Sequence, residues 1–237
     1  MIDNIIPNEI KRINSVYDRR GYDVDPEYSD TNPIYLHRLQ SVERATLSSL
    51  AAVGLENRLP EISILDYGCG NARWFGRWIA WGAMPDNLTG VDLRAKAIEL
   101  ARIRFPQCNF QVMRAGFVPY ANDSFDVVVL NLVFSSILDE KLRHTAAAEI
   151  VRVLKPEGIV LWCDFTVNNP KNPNVKKVNK HDIQSLFPDL KTVVMKRIIL
   201  APPLARRLVP ISWLVAEIAE SCFPFLRTHI FSLLTRR

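Results

Sequence analysis

The sequence is short of the features that mark exported, metal-bound or membrane-spanning chains. Its four cysteines, Cys69, Cys108, Cys163 and Cys222, show no C-x-x-C spacing and no histidine partner pattern. That speaks against a zinc site or a disulfide framework, so no metal is expected and a reduced compartment fits. Met1 to Arg12 carries acidic Asp3 and Glu9 and lacks a basic region followed by an apolar core, so no secretory signal is read there. Long apolar runs are missing as well. The most apolar tract, Leu208 to Phe225, is broken by Pro210, Glu217, Glu220 and Pro224, which argues against a membrane span. The expectation is a cytoplasmic location. There is no internal repeat and no low-complexity tract.

What is present is an ordinary globular composition. Of 237 residues, 48% are apolar and 23% charged, a balance that excludes disordered and fibrous classes. The length suits one sizeable α/β domain with an appended element. A net charge of +5 permits an anionic partner, but the basic residues are scattered and the Lys171, Lys176, Lys177, Lys180 group is modest, so a nucleic-acid partner is not indicated.

Strand-like and helix-like segments alternate. Asn32-Pro33 is a helix start, with Tyr35, Leu39, Val42, Leu50 and Val53 on one face and Gly54 as the stop. Ile62 to Asp66 reads as a strand ending in glycines, and Trp74, Phe75, Trp78 and Ile79 mark the helix after it. Strands follow at Leu88 to Asp92, Phe110 to Arg114 and Phe125 to Leu130, the last a continuous apolar run typical of a sheet covered on both faces. Leu142, Ala146, Ile150 and Val153 give a further helix, Lys155 to Gly158 turns it back, and Ile159 to Phe165 is a fifth strand. The crossover rule then predicts an α/β fold with a right-handed, mostly parallel, doubly wound sheet. Beyond it, Val167 to Lys177 reads as a loop, and Thr192 to Leu200 and His229 to Leu234 as two final strands. Between those strands Ile211, Leu214, Val215, Ile218, Ala219 and Cys222 form an apolar stripe at helical spacing, read as packing on the domain.

The chemistry concentrates after the first strand. Asp66-Tyr67-Gly68-Cys69-Gly70-Asn71 is a tight strand-to-helix turn at the carboxyl edge of the sheet, where open α/β sheets bind ligands. Glycines there let a ligand lie against the backbone. A dinucleotide enzyme would want a third glycine where this chain has Arg73, which weakens that reading. Asp92 ends the second strand about 20 positions further on, where a carboxylate can take both hydroxyls of a ribose. The plainer alternative is an acid capping the helix that begins near Arg94.

Four stretches carry a resemblance: Ile64 to Gly70, Gly90 to Leu93, Val118 to Asp126, and Glu149 to Gly158. In this order they resemble the motif series of class I S-adenosylmethionine-dependent methyltransferases, of the type 11 kind. The resemblance implies a Rossmann-like seven-stranded sheet with an antiparallel last strand. It also implies S-adenosylmethionine as cofactor and S-adenosylhomocysteine as product. Residues 1–60 would be an N-terminal helical lid, 61–165 the cofactor-binding core, and 166–237 an acceptor-side loop, a helical insert and the last two strands. By the same resemblance Gly68, Cys69 and Gly70 would contact the methionine half, Asp66 its amino group, and Asp92 with Leu93 the ribose. Asn131 would face the methionine end and the acceptor. The family often has an acid near the end of the third strand for adenine. Here Arg114 cannot accept that bond, so the backbone of Ala115 and Gly116 is the expected substitute.

Phe134 to Leu138, Trp162 to Phe165, Asn168 to Pro173, Ala201 to Ala205 and Arg227 to His229 resemble more weakly a subgroup of bacterial methyltransferases, many encoded near polysaccharide or secondary-metabolite functions. The expected acceptor is thus a sugar, glycan precursor or other small metabolite, methylated on oxygen. An RNA or protein methyltransferase, and a non-catalytic cofactor-binding module, are the alternatives. A hydroxyl acceptor calls for a general base, for which Asp164 and His37 are the candidates. Asp164 reads equally as an anchor for the Asn-Pro loop, and His37 as an exposed residue near a helix start. Tyr17, Tyr22 and Tyr28 read either as an aromatic lid or as a loosely packed tail. His229 reads as a possible site group or a loop anchor, and Trp74, Trp78 and Trp81 chiefly as core. The helix from Ile211 to Cys222, bracketed by Arg206, Arg207 and Arg227, reads as a lid or interface, with transient contact to a membrane surface as the other option. No pattern sets an oligomeric state.

Overall fold

The structure is a computed structural model and describes residues 5–18, 28–114, 116–170 and 172–236. Helix α1 (Ile5–Asp18) and helix α2 (Pro33–Ala52) precede the sheet. The Asn32 side chain accepts from the N–H groups of Ile34 and Tyr35, and Gly54 at φ +69° closes the far end of α2, as the Asn-Pro start and glycine stop predict. Helix α1 falls within the expected N-terminal helical lid, although no periodicity marked it as an element of its own. It is held by Ile13 and Val16, both buried, and by Glu9, which accepts from the Leu138 N–H at 2.6 Å.

The sheet comprises β1 (Ile64–Tyr67), β2 (Leu88–Asp92), β3 (Asn109–Val112), β4 (Phe125–Asn131), β5 (Leu154–Phe165), β6 (Leu190–Leu200) and β7 (Arg227–Arg236). Their order across it is β3-β2-β1-β4-β5-β7-β6. The first five pair in parallel, and β7 runs antiparallel to both β5 and β6. This is the expected seven-stranded, doubly wound arrangement with a reversed last strand. Strand β5 begins at Leu154, earlier than its apolar run suggests, because Leu154 pairs with Phe125 across a register shift.

Both faces are covered. On one lie α2, α3 (Phe75–Ala80) and α4 (Ala95–Arg104), contributing Leu50, Phe75, Trp78 and Ile98 to a core with Ile64, Val127 and Leu161. On the other lie α5 (Glu140–Val153) and α6 (Lys180–Leu186), with Ala146, Ile150 and Ile183 packed on Leu65, Val128 and Trp162. Burial on both faces explains why β4 reads as a nearly continuous apolar run.

The helical insert differs from expectation. It consists of α7 (Pro202–Leu208) and α8 (Trp213–Cys222). Apart from Ala219, the stripe that should pack on the domain faces away: Ile211 is 79% exposed, Leu214 67% and Ile218 48%. The buried face is Ala216, Ala219 and Glu220. Glu220 goes inward because it accepts hydrogen bonds from Ser41 of α2 and from the N–H groups of Ile199 and Leu200, both at 3.1 Å. Ile199 sits at φ +65°, a costly conformation for a β-branched residue, and the carboxylate holds that kink in place. Among the described residues no helix is long and apolar enough to cross a membrane.

Candidate functional site

One cavity of about 320 Å³ opens over the carboxyl ends of β1, β2 and β4, beneath α1 and α2. Its floor is the turn after β1. Gly68 at φ +77° and Gly70 at φ +57° give that turn its shape, and at Gly68 a Cβ would meet Val133 Cγ2 at 2.9 Å. The turn is fastened to the neighbouring strand: Asp92 Oδ2 accepts from the Gly70 N–H at 2.9 Å. Asp92 Oδ1 accepts from the backbone N–H of Arg94 at 2.9 Å and from its guanidinium at 3.0 Å, so both the capping reading and the site reading of this acid describe the same group. The Arg94 guanidinium also lies over the Tyr17 ring at 4.7 Å, which ties α1 to the rim.

Asp66, at the end of β1, lines the cavity and is 4% exposed. Burial first, and the charge of Asp92 second, push its carboxyl up to about 7. No hydrogen bond or ion pair to it exists among the described residues, which makes it a buried acid facing open space with its demand for a cation unmet. Tyr67 hydrogen-bonds its hydroxyl to the Gly116 carbonyl at 3.2 Å, and Gly116 at φ +83° forms part of the wall with Met113.

Asp66, Gly68, Cys69, Gly70, Asp92, Leu93, Gly116 and Asn131 all line this cavity. Ala115 lies outside the described residues, as does Tyr22. Arg114 is exposed and is not among the lining residues.

The two candidate bases are placed elsewhere, and that reading is corrected. Asp164 is fully buried on the face of β5 turned from α2; it accepts from the N–H groups of Ser135 and Phe165 at 3.0 Å and from the Trp162 indole at 3.3 Å. Burial pushes its carboxyl up, opposed by those hydrogen bonds. It fixes the segment after β4. His37 is 1% exposed and points at the insert, with Nε2 3.3 Å from Glu217, Nδ1 3.6 Å from Glu220, and its ring 5.2 Å from that of Trp213. Neither lines the cavity. His229 is buried beside Phe165, and burial together with the Arg38 charge holds its imidazole well below the usual range. His144 and His181 are exposed, as their positions suggest.

Several lining residues escaped the sequence reading. Trp74 faces the cavity, whereas Trp78 is buried in the core. Tyr17, Tyr28 and Tyr35 form an aromatic wall, the lid option for the first two, and Tyr28 meets Tyr35 edge-on at 5.6 Å. Arg38 was missed, although it lies one turn beyond Tyr35 and one before Val42 on the face already read as inward.

The comparisons with known proteins agree with this geometry. Residues 64–158 match the family described as "Methyltransferase domain". Over that stretch the chain is similar to methyltransferases, and its fold is shared with S-adenosylmethionine-dependent methyltransferases of known structure. It is similar, at 33% identity over 108 residues, to the phthiotriol/phenolphthiotriol dimycocerosates methyltransferase of Mycobacterium tuberculosis, covering 45% of this chain and 38% of that one. It is 21% identical over 140 residues to the ubiquinone/menaquinone biosynthesis C-methyltransferase of Campylobacter jejuni, covering 57% and 58%. The chain spans about half the length of the curated relatives it matches. Among solved structures, the 1,6-didemethyltoxoflavin-N1-methyltransferase of Burkholderia thailandensis, with 1,6-didemethyltoxoflavin and S-adenosylhomocysteine bound, superposes with a TM-score of 0.64 at 15% identity. It covers 97% of this chain and 90% of that one, a likeness of fold.

The family's cofactor fits the residues present. An unpartnered buried acid suits an ammonium, a second acid near the backbone of the glycine turn suits a ribose, and the open backbone at Gly68 and Gly70 leaves room for the chain between them.

Proposed function

We propose that the chain transfers a methyl group from S-adenosylmethionine to a small acceptor whose nucleophilic oxygen ionises without a built-in base. The observation that carries this is the make-up of the cavity wall. Among the described lining residues the acids are Asp66 and Asp92 alone, both on the cofactor side, and there is no histidine. When bound, the cofactor supplies a sulfonium methyl carbon that is already electrophilic. What remains for the chain is alignment and exclusion of water. Asp66 and Asp92 orient the cofactor by its ammonium and ribose, the glycine turn lets it lie against backbone, and Asn131 sits at the junction with the acceptor side. Tyr17, Tyr28 and Tyr35 cover the reacting space from α1, α2 and the turn before α2.

A sugar or glycan hydroxyl is the weaker fit, because with Asp164 and His37 turned away no group of suitable basicity among the described residues faces an alcohol. A phenol, an enol or a carboxylic acid needs no such help. The named relatives support a small acceptor over RNA or protein: their stated chemistry concerns ubiquinone/menaquinone and phthiotriol dimycocerosates. The test is calorimetry with S-adenosylmethionine and S-adenosylhomocysteine, followed by product release over paired acceptors, phenols and acids against sugars. Binding of both nucleosides with turnover confined to the acidic acceptors is expected. Absence of nucleoside binding overturns the proposal; binding without any turnover moves the chain to a non-catalytic module.

A further inference from the structure

Among the described residues Arg38 is the one lining cation without a partner. Arg73 donates to the Tyr28 carbonyl and Arg94 to Asp92, whereas Arg38 makes no hydrogen bond or ion pair among the described residues. It is half-buried on α2, so its guanidinium has given up part of its hydration with nothing returned. The groups that feel its charge are Cys163 on β5 and His229 on β7. Both are buried; burial holds the thiol up and the imidazole down, so neither offers a negative charge. Asp164, the nearest acid along β5, belongs to the opposite face and is taken by Ser135, Phe165 and Trp162.

The position separates Arg38 from the cofactor side. Asp66 and the glycine turn belong to β1, while Arg38 acts over β5 and β7. In the sheet order β1-β4-β5-β7 that is two to three strands away, about 10 to 15 Å at ordinary strand spacing. Arg73, in the glycine turn itself, is the cation on the methionine side.

We propose that Arg38 is an oxyanion receptor on the acceptor side of the cavity, so that the acceptor carries a carboxylate or phosphate in addition to the atom methylated. The inference rests on the methyl-transfer reading and names its substrate class. A guanidinium fork matches such groups with two parallel N–H···O bonds. Held that way, the anion end lies over β5 and β7 and leaves the acceptor's reacting end toward Asn131.

The probe is inorganic phosphate, titrated into chain labelled with ¹⁵N-arginine, with and without saturating S-adenosylhomocysteine. The Arg38 Nε–H resonance is assigned by its loss in Arg38→Gln. A saturable shift of that resonance, absent with chloride at equal ionic strength, is expected, together with phosphate affinity, read by calorimetry, that falls about tenfold or more in Arg38→Gln. Arg38→Lys retains part of the binding. No shift at Arg38 overturns the proposal. So does a second outcome: Arg38→Gln weakening S-adenosylhomocysteine but not 5′-methylthioadenosine, which lacks the carboxylate, since Arg38 then serves the cofactor. Failure of the nucleoside to bind wild-type chain sinks the methyl-transfer reading instead, and the phosphate titration of the free chain still decides Arg38.

Discussion

Asp92 accepts a hydrogen bond from the backbone N–H of Gly70 at 2.9 Å, so the acid expected to take the ribose also holds the glycine turn in shape. Asp92→Ala therefore acts twice. Loss of charge-assisted bonds to the nucleoside weakens S-adenosylhomocysteine by about 100-fold. The Gly70 and Arg94 N–H groups also lose their acceptor, which costs stability by about 1–3 kcal/mol. Calorimetry and thermal unfolding on one preparation read both; unchanged affinity would remove Asp92 from the site.

Asp66 makes cofactor binding depend on pH. Its carboxyl, pushed up to about 7, takes a proton more readily in the folded than in the unfolded chain. Its contribution to stability is thus greatest at low pH and is lost as pH rises from the ordinary carboxylate range through about 7. Cofactor affinity runs the other way, because an ammonium demands the ionised form. Between pH 6 and 8 the affinity for S-adenosylhomocysteine should rise about tenfold. A proton is released on binding at pH 6, and both effects vanish in Asp66→Asn. Flat affinity in the wild-type chain contradicts the role.

Asp164→Ala should behave as loss of an anchor. Three donors, the Ser135 and Phe165 N–H groups and the Trp162 indole, would be stranded, at a cost of about 3 kcal/mol. The expected signature is a lower unfolding midpoint in Asp164→Ala, with a pH–rate profile of unchanged shape. A profile that loses one limb restores Asp164 as a base.

Two substitutions on α8 should contradict its hydrophobic pattern. Glu220→Ala strands the Leu200 N–H, leaves the Ile199 N–H only Ser41 Oγ, and destabilises by about 3 kcal/mol, with faster amide exchange at both positions. Ile218→Ser, on the outward stripe, stays within about 0.5 kcal/mol of wild type. The opposite ranking would mean that the helix is seated on its apolar face.

These cases show where the sequence is legible. Strands β1 and β4 are covered on both faces, so burial leaves a local mark in consecutive apolar residues at 64–65 and 127–130, and the glycine turn follows the first of them. Cofactor-side residues are legible for the same reason, since they sit at fixed offsets from strand ends. Glu220 and His37 are not. Each is buried on the strength of partners far along the chain, Ser41 and Ile199 for the one, Glu217 and Trp213 for the other, and no spacing rule contains those pairs. Helix α1 fails similarly: Glu9 and Arg12, which look solvent-facing, are bonded to the Leu138 N–H and the Ser136 carbonyl.

The seating of the insert settles where the cleft can yield. With Glu220 bolted to Ser41 and to the kink at Ile199, α8 and α2 behave as one block, and prying them apart strands buried donors. Helix α1 is moored mainly at its edge, through Arg12, Tyr17 and Glu9 to the stretch 136–138. Lifting α1 would break those polar ties and bare Ile13 and Val16, yet leave the block of α2 and α8 whole.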